Sequence, residues 1–399
     1  MRLRTAVMSA VIVLTLAACS NPASPAPGPV VGGAATKVGP DGDAFYLPPD
    51  VLPAGTHGRL IWARPLQGPA LLSGATNTLL LYTQQGIDGT TVATSGFVAV
   101  PRGTPPPGGW PVVTWGHGTT GIADQCAPTR YDNPKNAATN DPLLKAWVHQ
   151  GYAVVASDYE GLGTPGDHPY LDGPSEGRSM LDAVRAARQL DADLSDRVLV
   201  AGHSQGGQAA LWAASLAPTY TSDLHLGGTI AFAPESQART VPDLIKTVSF
   251  THTGGTVALI LRGAQIADPA LDVQALLTPA ARALWPQTLT DCAADLNTTG
   301  SFGGLPLDQI LRADADTAAL TQELTANDPT HLGISGPILL EQGLADTTVN
   351  PQNTTQLDAA LGAAGDTVTE HTYLDATHAT VISAATQDAT TFLTQQLPR

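Results

Sequence analysis

Hydrophobic and polar positions follow two different periods between residues 78 and 234. Short runs of β-branched and apolar residues predict strands, whereas apolar positions three and four apart across residues 175–190 predict an amphipathic helix. Strand and helix alternate, which favours a parallel sheet with right-handed crossovers. The predicted strands are TLLLYTQQ, TVATSGFVAVP, WPVVTWG, YAVVASD, RVLVAG and GGTIAFAP, and the predicted helices are one that ends at AWVHQG, one at 175–190 and one from Gln205 to about Ser215.

The pattern changes after residue 235. Residues 236–331 have mainly helical periodicity, and two strands and a terminal helix follow them. We therefore expect an α/β core formed by residues 45–235 and 332–399, with a helical cap at residues 236–331 inserted before the last strands. The segments that carry this prediction are the helical VPDLIKTV, ALDVQALLTPAARALW and LDQILRADADTAALTQEL, the strands GPILLEQG and VTEHTYLD, and the helix TVISAATQDATTFLTQQL.

The first 44 residues are expected to lie outside that core. Residues 1–18 begin with the basic MRLR and continue with an apolar stretch too short for a comfortable membrane span, which is typical of a signal peptide. The LAAC that ends at Cys19 resembles a bacterial lipobox, and so predicts lipidation of Cys19 and an anchor on the outer side of the cell membrane. An ordinary signal peptide, with release as a secreted protein, is the alternative. Residues 19–44 are rich in Pro, Gly and Ala and predict a tether.

The amino-acid composition of the chain excludes some classes of function. The 399 residues are 43% hydrophobic and 14% charged, which allows a sizeable core, and the formal charge of −16 argues against a nucleic-acid partner. Besides Cys19 the chain has two cysteines, Cys126 and Cys292. Outside the cytoplasm two such thiols tend to pair, and two buried free thiols are the alternative. Neither CxxC nor HExxH occurs, so the sequence gives no support for a metal site.

A candidate nucleophile lies directly after the predicted strand RVLVAG. Gly202-His203-Ser204-Gln205-Gly206 fits G-x-S-x-G, followed by the helix-compatible QAALWAAS. In this motif the serine occupies a sharp turn between strand and helix, so its neighbours two positions away must be small. The turn also directs a helix N-terminus at the reaction centre. We expect Ser204 to be the nucleophile and His203 to have a packing role.

The acid and the base are expected on later loops, because the triad in this arrangement follows the order Ser, Asp or Glu, His. Asp346 follows the strand GPILLEQG, and His378 precedes the last helix. His378 would take the Ser204 proton, and Asp346 would hold the imidazole in the required tautomer. Asp375, at the end of the last strand, is the alternative acid. His371 lies inside a strand, and Asp158 precedes Ser204 in the chain and is expected to anchor its own loop.

The oxyanion would be held by two backbone N–H groups. One is that of Gln205, directly after the nucleophile. The loop GHGTTG at 116–121 follows the strand WPVVTW and is expected to supply the other, from Thr119 or else from Thr120. A glycine loop without a direct role is the alternative.

The segment GLGTPG at 161–166 matches G-x-G-x-x-G but does not predict nucleotide binding. A dinucleotide site needs a helix that begins directly after the motif, whereas three prolines delay the next helix by about ten residues. We expect this loop to line the entrance of the site, with His168 and Tyr170 as candidates for its wall, although both could equally be simple packing residues.

These stretches together resemble the secretory lipase family, which includes the yeast lipase A type enzymes. The matching segments are WGHGTTG with the following CAP, then SDYEGLG, SEGRSMLDAVRAAR, GHSQGGQAALWAA, QGLADTTVNPQNT and the final ATH. The resemblance implies an α/β-hydrolase fold with a mostly parallel sheet, a helical cap between the sixth and seventh core strands, and hydrolysis of carboxyl esters without a cofactor. Members often have a disulfide from the position of Cys126 to the cap, which favours pairing with Cys292. The loop at 116–121 is richer in glycine than in the yeast enzymes.

The sequence therefore predicts a serine ester hydrolase, a lipase or esterase, held outside the cell. The expected substrates are acyl glycerols or similar small-molecule esters, and we expect a monomer. The cap segments TVALILRGA and LLTPAARALW suit an acyl chain, and a rigid cap over a small pocket is the alternative. A peptidase, a lactone or aromatic-ester hydrolase, and a lipoprotein that binds lipid without catalysis are the other functions that stay open.

Overall fold

The computed structural model describes residues 37–55, 57–68, 70–130 and 142–399. The predicted signal peptide, the predicted lipidation at Cys19 and most of the predicted tether lie outside these residues, so they remain predictions. Within the described ranges, none of the helices combines the length and the apolar character that a membrane span requires.

Nine strands in the described part of the chain form one sheet. In chain order they are β1 Leu60–Pro65, β2 Ala75–Gln85, β3 Thr91–Pro101, β4 Trp110–Gly116, β5 Ala153–Ser157, β6 Leu194–His203, β7 His225–Phe232, β8 Pro337–Gly343 and β9 Thr367–Tyr373. Their order in the sheet is β1-β2-β3-β5-β4-β6-β7-β8-β9. The six strands from β5 to β9 in that order are parallel, and β1, β2 and β3 form an antiparallel edge. The predicted parallel sheet is confirmed.

Helices connect the parallel strands and cover both faces of the sheet. They are α1 Pro142–His149, α2 Gly173–Leu190, α3 Gln205–Tyr220, α4 Val241–Leu244, α5 Gly254–Ala267, α6 Val273–Leu276, α7 Pro279–Leu284, α8 Ala293–Leu296, α9 Ala318–Ala326, α10 Pro351–Ala364, α11 Val381–Ala384 and α12 Thr386–Gln396. Because helices cover the sheet on both sides, every residue of β4 and β5 is buried, which explains their unbroken apolar sequences.

Several elements differ from the expectation. Strand β1 and helices α5 and α10 were not among the predicted elements. The long helix expected at ALDVQALLTPAARALW is divided into α6 and α7, because Pro279 cannot continue a helix and Thr278 caps α7 by accepting from the N–H of Ala281. VPDLIKTV forms only the single turn α4. In LDQILRADADTAALTQEL only the final AALTQEL belongs to α9, and a short 3-10 helix at Leu307–Gln309 precedes it.

The segment between β7 and β8 has a hydrophobic cluster of its own. Most apolar side chains of α5 are buried in it, Leu259 and Leu261 completely. The surface that α5 could offer to an acyl chain is therefore small, because these side chains already pack against one another. Two further clusters lie on the two faces of the sheet.

Candidate active site

Ser204 occupies a strained turn between β6 and α3. Its backbone has φ 58° and ψ −118°, a conformation that is unfavourable for a residue with a side chain. The two motif glycines allow this turn: a Cβ at Gly202 would lie 2.0 Å from the carbonyl oxygen of Gly206, and a Cβ at Gly206 would lie 1.9 Å from the carbonyl oxygen of Gly116. The N–H of Ser204 donates to the carbonyl of Phe232 at 2.9 Å. The G-x-S-x-G spacing is thus a packing requirement of this turn.

Asp346 and His378 meet at the carboxyl ends of β8 and β9. Nδ1 of His378 lies 2.7 Å from Oδ2 of Asp346. The other oxygen, Oδ1, accepts from the N–H of Thr348 at 2.7 Å and from the N–H of Val349 at 2.9 Å. Burial would raise the pKa of Asp346, but these hydrogen bonds and the neighbouring His378 outweigh it and lower the pKa below its ordinary value. The carboxylate is therefore held ionised and aimed at the imidazole.

The alternative residues lie elsewhere. Asp375 is exposed, and no hydrogen bond connects it to His378 in the described part of the chain. Asp158 anchors its loop as expected, since it accepts from the hydroxyl of Ser95 at 2.6 Å and from the N–H of Thr129 at 3.0 Å. His371 lies beside two other carboxylates, those of Glu341 and Asp388.

The imidazole of His378 lies beside the serine turn. Its ring centroid is 4.5 Å from that of His203, the residue directly before Ser204. Because Nδ1 is bound to Asp346, Nε2 is the nitrogen left for a proton transfer. Among the described residues the Ser204 hydroxyl makes no hydrogen bond to His378. Such bonds are often long in a free enzyme and tighten when substrate binds.

The loop at 116–121 borders the serine. A Cβ at Gly118 would lie 3.8 Å from Cβ of Ser204 and 3.2 Å from Nδ1 of His203. The N–H groups of Thr119 and Gln205 donate to no other described residue, which leaves both free for the predicted oxyanion role. The Thr119 hydroxyl is 2.7 Å from the hydroxyl of Tyr170, which fixes this part of the loop. Tyr170 therefore supports the predicted oxyanion loop.

Buried side chains position Gln205, the first residue of α3. Its amide Nε2 donates to Oε1 of Glu176 at 2.7 Å and to Nε2 of His168 at 3.1 Å. His168 can accept this bond because its Nδ1 lies 2.8 Å from the carbonyl oxygen of Glu160 and carries the proton. Burial lowers the pKa of His168 to about 3 and raises that of Glu176 to about 8. Both groups are therefore uncharged at neutral pH.

The predicted oxyanion loop is also tied to the segment between β7 and β8. Cys126 and Cys292 form a disulfide, as expected. Next to it the carbonyl of Thr120 accepts from the N–H of Ala293 at 2.8 Å, and Gly121 pairs with Cys292. The disulfide therefore holds the end of the loop that carries Thr119.

Two contacts at the site had no signal in the sequence. His203, for which only a packing role was expected, has its Nε2 2.9 Å from the carbonyl oxygen of His378. Glu235, just after β7, donates its N–H to the carbonyl of Ser204 at 3.1 Å. Burial, and then the nearby Asp328 and Asp346, raise the pKa of the half-buried Glu235 to about 8. Both contacts join segments that are distant in the sequence, so only the folded chain shows them.

Comparison with known proteins agrees with the resemblance noted above. A family model described as "Secretory lipase" matches residues 136–398. The chain is 28% identical over 266 residues to "Lipase A" of Moesziomyces aphidis, a match that covers 63% of this chain and 54% of that protein. It is 26% identical over 361 residues to "Probable inactive lipase MT1628" of Mycobacterium tuberculosis, covering 85% of this chain and 78% of that protein. The chain thus spans about half the length of the first of these relatives.

Solved structures show the same fold. Candida antarctica lipase A in its closed state superposes with a TM-score of 0.73 at 20% identity, covering 86% of this chain and 84% of that one. The rice cell wall degrading esterase LipA of Xanthomonas oryzae gives a TM-score of 0.69 at 21% identity, covering 86% of this chain and 99% of that one. The predicted α/β-hydrolase fold class is confirmed by these likenesses.

Proposed function

Because the chain belongs to the secretory lipase family, we propose that it is a serine carboxyl-ester hydrolase with Ser204, Asp346 and His378 as its triad. The observation that supports this most is the hydrogen bond of 2.7 Å between His378 Nδ1 and Asp346 Oδ2, made beside the strained turn that carries Ser204. An imidazole fixed by a carboxylate next to a serine on a G-x-S-x-G turn is the arrangement that activates a hydroxyl nucleophile.

The reaction follows from this arrangement. The hydroxyl oxygen of Ser204 attacks the ester carbonyl while Nε2 of His378 takes its proton, and Asp346 stabilises the imidazolium. The N–H groups of Gln205 and Thr119 hold the negative oxygen of the tetrahedral intermediate. His378 then protonates the leaving alcohol, and an acyl-enzyme remains. Water, activated by His378 as a base, hydrolyses the acyl-enzyme and restores the free serine.

Uncharged, apolar esters such as acyl glycerols are the proposed substrates. Two leucines on the loops after β8 and β9 support an apolar substrate: Leu344 is 46% exposed and Leu374 is 75% exposed. Glu235 is mainly protonated at neutral pH because its pKa is about 8, so it offers no fixed charge to the amine of a peptide. One relative, of Malassezia globosa, has the name "Secreted triacylglycerol lipase LIP7".

We place the enzyme outside the cytoplasm, held to a membrane by lipid on Cys19. The disulfide between Cys126 and Cys292 supports an oxidising compartment. Metabolic labelling of the full chain with an alkyne fatty acid tests the anchor. Label should be incorporated in the wild type and absent from Cys19→Ala, whereas equal label in both would rule out lipidation at Cys19.

A lipoprotein that binds lipid without catalysis is the second candidate. The name of the Mycobacterium tuberculosis relative, "Probable inactive lipase MT1628", favours it, since that match covers 85% of this chain. Against it, the three triad side chains are all present here.

A panel of nitrophenyl esters from acetate to palmitate separates the two candidates. The wild type should hydrolyse at least part of the panel, and Ser204→Ala should lose several orders of magnitude in kcat/KM. Equal turnover by the alanine variant would show that Ser204 is not the nucleophile. If the wild type hydrolysed none of the esters, the lipoprotein that binds lipid without catalysis would be favoured. The chain length of the best ester would assign the enzyme as lipase or short-chain esterase.

A further inference from the structure

Three side chains of the types that bind metal ions come together at the edge of the sheet. None of the three belongs to the proposed triad. Glu341 on β8 and His371 on the edge strand β9 are register partners, and Asp388 in the first turn of α12 faces them. One nitrogen or oxygen from each of these side chains lies within 4.8 Å of the corresponding atoms of the other two.

The spacing is that of ligands around a small cation. His371 Nδ1 is 3.7 Å from Glu341 Oε2 and 3.6 Å from Asp388 Oδ2. Both distances are too long for a hydrogen bond. Ligands at 2.0–2.1 Å from a tetrahedral zinc ion are about 3.4 Å apart, so a small inward movement would complete such a site.

Unsatisfied polar atoms provide a second, independent indication. The side chain of Glu341 is fully buried, at 0% exposure, and its Oε1 has no hydrogen-bond partner among the described residues. Nδ1 of His371 is also shielded from solvent and has no hydrogen-bond partner in the same part of the chain. A buried carboxylate oxygen and a buried imidazole nitrogen without partners are costly unless a ligand satisfies them.

Tyr373 bridges the two carboxylates of the cluster. Its hydroxyl is 2.8 Å from Oε2 of Glu341 and 2.7 Å from Oδ2 of Asp388. A hydroxyl has one proton and can donate to only one of these oxygens, so a proton on a carboxyl must serve the other contact. Two carboxylate oxygens that share one hydroxyl in this way lie close together, as two oxygen ligands of one cation would.

We propose that Glu341, His371 and Asp388 bind a divalent cation of the zinc type, with Tyr373 orienting the two carboxylates from outside the ligand set. One imidazole nitrogen and two carboxylates suit Zn²⁺ better than Ca²⁺, which takes oxygen ligands. The side chains of His371 and Asp388 are 42% and 45% exposed, so the cluster borders solvent although Nδ1 of His371 is itself shielded. A small movement of these two side chains would admit the ion, with a water molecule as the fourth ligand.

The role of this cation would be structural. It would tie β8, β9 and α12 together, and the loop after β8 carries Asp346 while the loop after β9 carries His378. The site is independent of the proposed hydrolase activity, because its ligands are not part of the triad and its occupancy can be measured without substrate.

The test is calorimetric titration of the untagged, chelator-treated full chain with ZnCl₂, together with thermal unfolding with and without Zn²⁺. We expect one equivalent of Zn²⁺ to bind and to raise Tm. His371→Gln and Asp388→Asn should each weaken binding at least tenfold and remove the rise in Tm. CaCl₂ should have little effect.

Two control variants show which imidazole binds. His225→Gln removes an exposed histidine that lies 3.4 Å from Asp196, and His378→Gln removes the histidine of the triad. Both variants should keep the stoichiometric site. The proposal is wrong if the wild type binds no Zn²⁺, if His371→Gln and Asp388→Asn bind as the wild type does, or if binding is lost in His378→Gln or His225→Gln. Circular dichroism checks that each variant is folded. If Asp388→Asn does not fold, the binding measured for His371→Gln alone decides the test.

Discussion

His203 holds the backbone of His378: its Nε2 lies 2.9 Å from the carbonyl oxygen of His378, and the two rings are 4.5 Å apart. Burial first, and then the neighbouring His378, lower the pKa of His203 to about 3, so the ring is neutral and donates its Nε2–H to the carbonyl. The residue directly before the proposed nucleophile thus positions the proposed base.

Replacement of His203 tests this positioning role. His203→Phe keeps an aromatic ring but loses the donor, so His378 should be held less firmly and kcat should fall about tenfold with KM nearly unchanged. His203→Asn retains an N–H donor and should recover part of the loss. The kinetics of both variants on one nitrophenyl ester provide the measurement. Full activity of His203→Phe would show that the hydrogen bond has no effect on catalysis.

The choice of acid between Asp346 and Asp375 has a matched test. Asp346→Asn keeps the shape of the side chain but favours the wrong tautomer of His378, so kcat should fall by a factor of about 10⁴. Asp375→Asn should have nearly wild-type activity, because this side chain is exposed and makes no hydrogen bond to His378 among the described residues. If Asp375→Asn lost activity while Asp346→Asn kept it, Asp375 would be the acid of the triad.

The disulfide should affect both stability and activity. It joins residues 166 positions apart, so the double variant Cys126→Ser/Cys292→Ser should lose about 2–5 kcal/mol of unfolding free energy. Activity should also fall several-fold below the melting transition, because the contacts of Thr120 and Gly121 with the segment at Cys292 would loosen. Urea unfolding and ester kinetics on the folded variant measure the two effects. Activity that is unchanged while stability falls would show that the oxyanion loop does not need this anchor.

Glu176 should make the protein less stable as the pH rises. Its pKa is about 8 in the folded chain because of burial, against an ordinary value of 4.5. Between these pH values the unfolded chain releases the proton and the folded chain keeps it. The contribution of Glu176 to the free energy of unfolding is therefore fully present below about pH 4.5 and decreases as the pH rises toward 8.

The measurement is urea unfolding of the wild type and Glu176→Gln between pH 5 and pH 8. The slope of stability against pH should be shallower in the variant by at most about 1.4 kcal/mol per pH unit. Asp308→Asn, which removes an exposed carboxylate, is the control and should keep the wild-type slope. Equal slopes in the wild type and Glu176→Gln would contradict the burial effect.

Much of the fold and the arrangement of the site could be predicted from the sequence. Strands β4 to β8 are short apolar runs between clear breaks, and the order Ser204, Asp346, His378 places the two later residues after consecutive strands of a parallel sheet. The structure brings Asp346 and His378 together at that edge. Cys126 and Cys292 could be paired because so few cysteines are present and because a family resemblance was available.

Other features depend on tertiary contacts that the pattern of residues does not contain. Strand β1, LIWARP, includes an arginine and a proline and is held by pairing with β2. The cluster at Glu341 depends on the register of β8 against β9 and on where α12 packs. Likewise, the bond from His203 to His378 joins residues 175 positions apart. Propensity and periodicity describe local order, and these contacts are not local.

The most direct test of the central claim is covalent labelling with a fluorophosphonate, followed by peptide mapping. The claim is that His378, held by Asp346, activates Ser204. The wild type should therefore be labelled at Ser204 alone, and His378→Ala should be labelled at least a hundredfold more slowly while it remains folded. Labelling of His378→Ala at the wild-type rate, or no label on Ser204 in the wild type, would contradict the account.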